Sequence, residues 1–320
     1  VSSLLVEVCK VEKIEKHPNA DKLSIVTVKG WNCIVGLDQY KQGDLVVFVP
    51  PDCVIPPELI EKYGLEYLKK NGRTGTLKLR GYISQGLILD APVGAKEGKD
   101  VAGLLGITKW EPPEAPAIRG ARATSKKRSN PLFDKYTEIE NIKNFKGVFQ
   151  EGDQVVVSEK IHGCNARYGC LPISVSSCHT LIDKIVGAFR KYILGKKFEY
   201  VYGSHNVQLT FGSPKAWKKG FYKENVWEKV GNRMGLLLEG KVPENCILYG
   251  EIYGKNIQDL DYGEEKVAFR AFDVKANGRY LDHDDFVQFC VVREIPMVPV
   301  LYRGPYYEGL LEEFTSGKSV

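Results

Sequence analysis

No stretch of about 18 apolar residues occurs anywhere in this 320-residue chain, so no membrane-spanning helix is expected. There is no Cys-x-x-Cys pair either, which removes the commonest zinc-site pattern. The opening residues, Val1 to Val6, run into charge at Glu7, too early for a secretory leader. With no leader in view, the eight cysteines are expected to be free thiols in a reducing compartment. The chain begins at Val1 rather than at a methionine, which suggests a trimmed sequence.

What is present is ordinary for a globular protein: 43% hydrophobic and 27% charged residues, which exclude disorder over the whole length. At roughly 150 residues per domain, two domains are expected. The net charge is 45 − 40 = +5, and it is unevenly placed. Residues 1–105 hold 14 basic and 13 acidic side chains, residues 106–150 hold 9 and 5, and residues 151–320 hold 22 and 22. The excess includes Arg119, Arg122, Lys126, Lys127 and Arg128, in a stretch rich in Pro, Ala and Ser. This composition predicts a solvated basic linker over 106–130, between a domain at 1–105 and another at 131–320.

The first block reads as short strands punctuated by glycine and proline: Leu4–Val8, Leu23–Val28, Cys33–Val35, Leu45–Val49, Leu77–Arg80 and Gly86–Leu89. Pro56-Pro57-Glu58 opens a helix predicted to run to about Lys70. Such a set suits a small barrel. His17-Pro18-Asn19-Ala20-Asp21-Lys22-Leu23 and Gly81-Tyr82-Ile83-Ser84-Gln85-Gly86-Leu87 resemble parts of OB-fold domains related to tRNA-binding modules. That resemblance implies nucleic-acid binding on one face of the barrel. His17 by itself is read as a turn residue.

The second block mixes helices and strands. Leu181, Ile182, Ile185, Val186, Phe189, Ile193 and Leu194 fall at helical spacing, with Lys184, Arg190 and Lys191 between them. Strands are predicted at Val155–Val157, Cys246–Tyr249 and Val267–Phe272, and a helix over His283–Val292. Lys215, Trp217, Lys218, Lys219, Phe221, Tyr222 and Lys223 interleave basic and aromatic residues, as an RNA-contacting segment or a surface helix would.

One constellation carries chemistry. Glu159-Lys160-Ile161-His162-Gly163, with Asn165 two residues on, follows a predicted strand. Downstream, Tyr249-Gly250-Glu251-Ile252-Tyr253-Gly254 sets a carboxylate between glycines, and Phe269-Arg270-Ala271-Phe272-Asp273-Val274 sets aromatics on a strand. In this order the segments resemble motifs I, III and IIIa of ATP-dependent RNA ligases that carry an OB domain ahead of a nucleotidyltransferase domain. Tyr136-Thr137-Glu138-Ile139-Glu140-Asn141 resembles the same branch. The fold implied is α+β, an OB-fold β-barrel followed by antiparallel sheets with flanking helices.

The resemblance implies that Lys160 takes AMP from ATP and passes it to an RNA 5′-phosphate, which an RNA 3′-OH then attacks. A lysine is nucleophilic only as the neutral amine, and about three pH units separate its ordinary pKa from neutrality. Glu159, Ile161, Gly163, Asn165, Glu251 and Phe272 would line the nucleotide. Glu159 would accept from the adenine amino group, Gly163 would allow close backbone approach, and Phe272 would stack on the base. His162 matches the histidine linked to AMP transfer onto RNA. Glu251 would lie near the ribose and a divalent cation, Mg2+ or Mn2+. Repair of a nicked RNA duplex by a monomer is the expected role, inside the cell, with the cytoplasm, the nucleus and an organelle all open.

Two departures stand out. Many ligases have an arginine where Tyr202-Gly203-Ser204-His205-Asn206 lies, at motif Ia. Motifs IV and V, a Glu-Gly pair and phosphate-contacting lysines, do not occur before Val320, and the chain is expected to be a fragment. The alternatives are a non-catalytic RNA- or tRNA-binding protein with a decayed ligase domain, or another covalent nucleotidyltransferase such as a DNA ligase or a capping enzyme.

Overall fold

A computed structural model describes residues 4–68, 71–110, 129–145, 147–173, 197–209, 211, 224–237, 239–258, 260–315 and 318–319. The helix expected over 181–194, the basic-aromatic segment 215–223 and most of the expected linker lie outside these residues. The chain divides into two compact units, Val1–Glu114 with Glu138–Val148, and Ala115–Thr137 with Phe149–Val320.

The first unit runs β1 (Glu7–Lys10), β2 (Lys13–Lys16), β3 (Leu23–Val28), β4 (Trp31–Gly36), β5 (Leu45–Val49), β6 (Cys53–Val54), α1 (Pro57–Lys62), β7 (Thr76–Leu79), β8 (Tyr82–Gln85), β9 (Leu87–Asp90), α2 (Ala102–Leu105) and β10 (Thr108–Lys109). The strands β1-β5-β9 and β2-β3-β4 form two three-stranded antiparallel sheets. Alternation places Val26, Val28 and Val46 in one buried cluster and Val47, Val49 and Leu89 in another. The helix opened by Pro57 is shorter than expected, because Gly64 takes φ +62° and a 3-10 turn, Glu66–Leu68, follows.

His17 is a buried structural residue of this unit. Its Nδ1 accepts from the Asn19 amide at 3.1 Å, and its Nε2 lies 3.3 Å from the Leu79 carbonyl. Nδ1 as acceptor leaves the proton on Nε2, which donates to that carbonyl. The ring also meets Tyr82 edge-on at 5.0 Å. The segment Glu138–Val148 belongs to the same unit, where Lys143 donates to the Gly30 carbonyl at 3.0 Å and lies 5.0 Å over the Trp31 ring.

The second unit contains β11 (Gln154–Ser158), β12 (Cys164–Pro172), β13 (Phe198–Gly203), β14 (Gln208–Leu209), α3 (Val226–Arg233), β15 (Cys246–Tyr253), β16 (Ala268–Ala276), β17 (Arg279–Tyr280), α4 (His283–Val292), β18 (Val300–Pro305) and α5 (Leu310–Phe314). Six strands make one antiparallel sheet in the order β14-β13-β12-β15-β16-β17. One face packs Tyr168, Leu248, Ile252, Phe269 and Val274 with Val226, Trp227 and Val230 of α3 and Phe286, Phe289 and Cys290 of α4. Asn225 caps α3 and Asp282 caps α4, each side chain accepting from the amide three residues on. The period-2 alternation of strands sends Asn165, Arg167, Tyr249, Glu251 and Tyr253 to the opposite face.

Candidate active site

The lysine segment is a loop between two different sheets. Strand β11 pairs with β18, and the register shifts between Val157 and Ser158. The chain then crosses over residues 159–163 into β12. Lys160 and His162 are exposed, Glu159 is half-buried, and Ile161 is 6% exposed in a small cluster with Tyr253 and Val298. Ile161 is therefore an anchor for the loop, and the side chains on either side of it point outward.

Three backbone amides tie this loop down. The Glu159 amide donates to the Pro299 carbonyl at 2.9 Å, the His162 amide to the Tyr262 hydroxyl at 2.7 Å, and the Gly163 amide to Glu251 Oε1 at 3.2 Å. Local packing itself demands glycine at position 163. A Cβ there would lie 2.2 Å from the Ile252 carbonyl oxygen and 3.1 Å from Glu251 Cγ, so the loop can cross β15 only without a side chain.

Asn165, Glu251 and Arg270 are direct partners across β12, β15 and β16, and so lie in one row on the same face. Asn165 Oδ1 is buried with no hydrogen-bond partner among the described residues. Burial pushes the Glu251 carboxyl up to about 7, against the opposing pull of the Gly163 amide and the Lys160 charge. Arg270 is turned along the sheet, donating from Nε to the Tyr253 hydroxyl at 2.9 Å and from Nη1 to the Met297 carbonyl at 3.0 Å.

Phe272 sits at a β-bulge. Tyr249 pairs with Asp273 and Gly250 with Ala271, so Phe272 is the extra residue on β16. Alternation already puts Phe272 on the face of Arg270, and the bulge brings Asp273 onto that face as well; there Phe272 meets Tyr136 edge-on with centroids 4.9 Å apart. The Tyr136 hydroxyl donates to Asp273 Oδ2 at 2.9 Å, and burial raises the Asp273 carboxyl above its ordinary pKa. Glu159 accepts from the Ser319 hydroxyl.

The fold thus gathers Lys160, Gly163, Asn165 and Glu251 at one end of the sheet, with Phe272 on the neighbouring strand. His162 shares the loop with its side chain turned outward. In the segment Tyr202–Asn206, the Ser204 carbonyl accepts from Arg167 Nε at 2.9 Å. Arg167 is 2% exposed, and its second bond, from Nη1, goes to the Phe133 carbonyl at 2.9 Å. Burial lowers its guanidinium to about 10.

Sequence reading missed Tyr262, a lone tyrosine in a turn far from the motif, and the burial of Arg167. Neither carries a local signal. Tyr136 and Asp273 lie within segments that resemble the ligase motifs, yet nothing in the sequence pairs them.

Oxygen donors on this face suit a hard divalent cation. Among the described residues no three His, Cys, Asp or Glu side chains gather to hold one unaided. Glu251 and the orphaned Asn165 Oδ1 are the available donors, and magnesium is commonly held by few protein oxygens plus waters and phosphates. Among the described residues no helix is long and apolar enough to cross a membrane.

The RNA ligase family model matches residues 153–319, just over half of the chain, and an OB-fold domain model matches residues 5–91. No curated protein matches the chain. Among solved structures, a mutant of Naegleria gruberi RNA ligase with AMP and Mn is 22% identical, with a TM-score of 0.65, over 99% of this chain and 90% of that one. A second mutant of that ligase, with ATP and Mn, is 21% identical, with a TM-score of 0.61, over 93% and 84%. The same ligase with PPi is 22% identical, with a TM-score of 0.61, over 94% and 84%.

Proposed function

The chain belongs to the RNA ligase family, and from that premise we propose that it seals RNA ends through a covalent AMP on Lys160. The observation that carries this reading is the meeting of Lys160 with Glu251. The Gly163 amide bonds the Glu251 carboxylate, and the Lys160 charge acts on that carboxylate, although the two segments are far apart in sequence.

In the first step the neutral Lys160 Nζ attacks the α-phosphorus of ATP. A phosphorus–nitrogen bond forms, the α–β anhydride bond breaks, and pyrophosphate leaves. An RNA 5′-phosphate oxygen then displaces Lys160, and an RNA 3′-OH displaces AMP to close the strand. ATP as donor is in keeping with the ATP, AMP and PPi that the similar Naegleria structures hold. Phe272, braced by Tyr136, offers a ring face to the adenine. Asn165 Oδ1 supplies an acceptor with no hydrogen-bond partner among the described residues. Glu159 is the proposed adenine-amino acceptor, and His162, exposed beside Lys160, is the proposed residue for transfer onto RNA.

A divalent cation bound at Glu251 would take up the carboxylate charge that otherwise favours the Lys160 ammonium. The substrate we propose is a nicked RNA duplex with 3′-OH and 5′-phosphate ends, engaged by a monomer mainly through its backbone and 2′-hydroxyls.

The test is intact mass of the natural-length protein after incubation with ATP and magnesium, followed by peptide mapping. A single AMP adduct on Lys160, absent from Lys160→Ala, is the expected result. An unmodified wild-type protein would overturn the reading.

A further inference from the structure

Tyr262 holds the nucleophile loop from outside the motif set. Its hydroxyl accepts the His162 amide at 2.7 Å, a shorter bond than the one from the Gly163 amide to Glu251 at 3.2 Å. Glu251 is expected to take up a cation during the reaction, whereas Tyr262 has no such second duty. The Tyr262 ring stands edge-on to Tyr253, with centroids 5.5 Å apart and planes at 86°. Tyr253 is 3% exposed and is itself fixed by the bond from Arg270 Nε. Around Tyr262, the Glu264 amide donates to the Asp261 carbonyl at 3.0 Å and the Gly263 amide to Asp261 Oδ1 at 3.0 Å. The residue occupies a closed turn with φ +54° rather than an open loop.

We propose that Tyr262 is a positioning residue for Lys160: with the Pro299 carbonyl on the other side, it sets the backbone on both flanks of the lysine and so fixes the line of attack. This role rests on the lysyl-AMP reading above. The Glu159 bond restrains the residue before the lysine and the His162 bond the second residue after it. Ile161, buried between them, cannot swing without leaving its apolar seat. Losing the Tyr262 hydroxyl frees one flank while leaving that seat intact. Rates of displacement at phosphorus depend on in-line geometry, so the loss falls on the chemical step more than on ATP binding.

The decisive variant is Tyr262→Phe, which keeps the ring and its packing on Tyr253. In the natural-length protein, single-turnover formation of Lys160-AMP is measured across ATP concentrations. Sealing of a pre-adenylated RNA strand, which does not need the lysine as nucleophile, is measured beside it. The variant is expected to form the adduct about tenfold more slowly, the scale of one hydrogen bond realised in the reacting geometry. Half-saturating ATP and the sealing of the pre-adenylated strand are expected to stay within about twofold of wild type, since neither depends on the line of attack. Adduct formation at the wild-type rate overturns the proposal. An equal loss in both assays also overturns it, by showing a general structural role. A wild-type protein that forms no adduct instead removes the ligase reading and this role with it.

Discussion

Gly163 and Glu251 meet through a backbone amide and a carboxylate 3.2 Å apart, and the Ile252 carbonyl next to that contact leaves no room for a Cβ on Gly163. One residue therefore serves two demands, passage over β15 and a hydrogen bond to the acid that faces Lys160.

Gly163→Ala is expected to destabilise the second unit. The new methyl would meet the Ile252 carbonyl, which is backbone within a six-stranded sheet and cannot move alone. A loss on the order of 1–3 kcal/mol is expected in denaturant unfolding, the range for overpacking. An unfolding midpoint equal to wild type would show that the loop can shift away from β15.

The Glu251 carboxyl is pushed by burial from its ordinary 4.5 to about 7. Between those values the folded protein keeps a proton that the unfolded chain has lost. Stability therefore falls as pH rises from about 4.5 to about 7 and levels off above. Glu251→Gln is expected to remove that slope, a difference on the order of 2 kcal/mol at neutral pH. Chemical unfolding at several pH values tests this. Cation-dependent nucleotide binding should follow the opposite trend, rising as pH passes 7 in the wild type and absent in the variant.

Asn165→Ala separates a ligand group from a structural one. Its Oδ1 is buried without a partner among the described residues, so removing it relieves an uncompensated desolvation and should leave the unfolding midpoint equal or higher. Affinity for ATP with magnesium, read by titration calorimetry, should fall about tenfold. A large loss of stability with unchanged affinity would assign Asn165 to the scaffold.

His17→Ala is expected to act on the first unit alone. It removes the acceptor for the Asn19 amide and the bond to Leu79, at a cost on the order of 2 kcal/mol. AMP transfer to Lys160 should proceed at the wild-type rate at a temperature where the variant is folded. A selective loss of adduct formation would mean that His17 has a catalytic connection.

The amino-acid sequence by itself determined which residue types stand beside the lysine and in what order the segments follow. Lys160, Gly163, Asn165, Glu251 and Phe272 were singled out by the order of three short segments and their resemblance to ligase motifs, and their roles are what we propose. Strands Leu23–Val28 and Leu45–Val49 and helix His283–Val292 were legible because β-rich runs, flanking glycines and an acidic first turn act within a few residues. Strand β12 was not foreseen, because Cys164–Pro172 is buried on both faces and carries no alternation to read. Tertiary structure alone set that Asn165 pairs with Glu251, that a bulge brings Asp273 beside Phe272 onto their face, and that Tyr262 and the Pro299 carbonyl grip the lysine loop. Those relationships join segments separated by dozens of residues, and strand register and packing set them, so no local pattern along the chain encodes them.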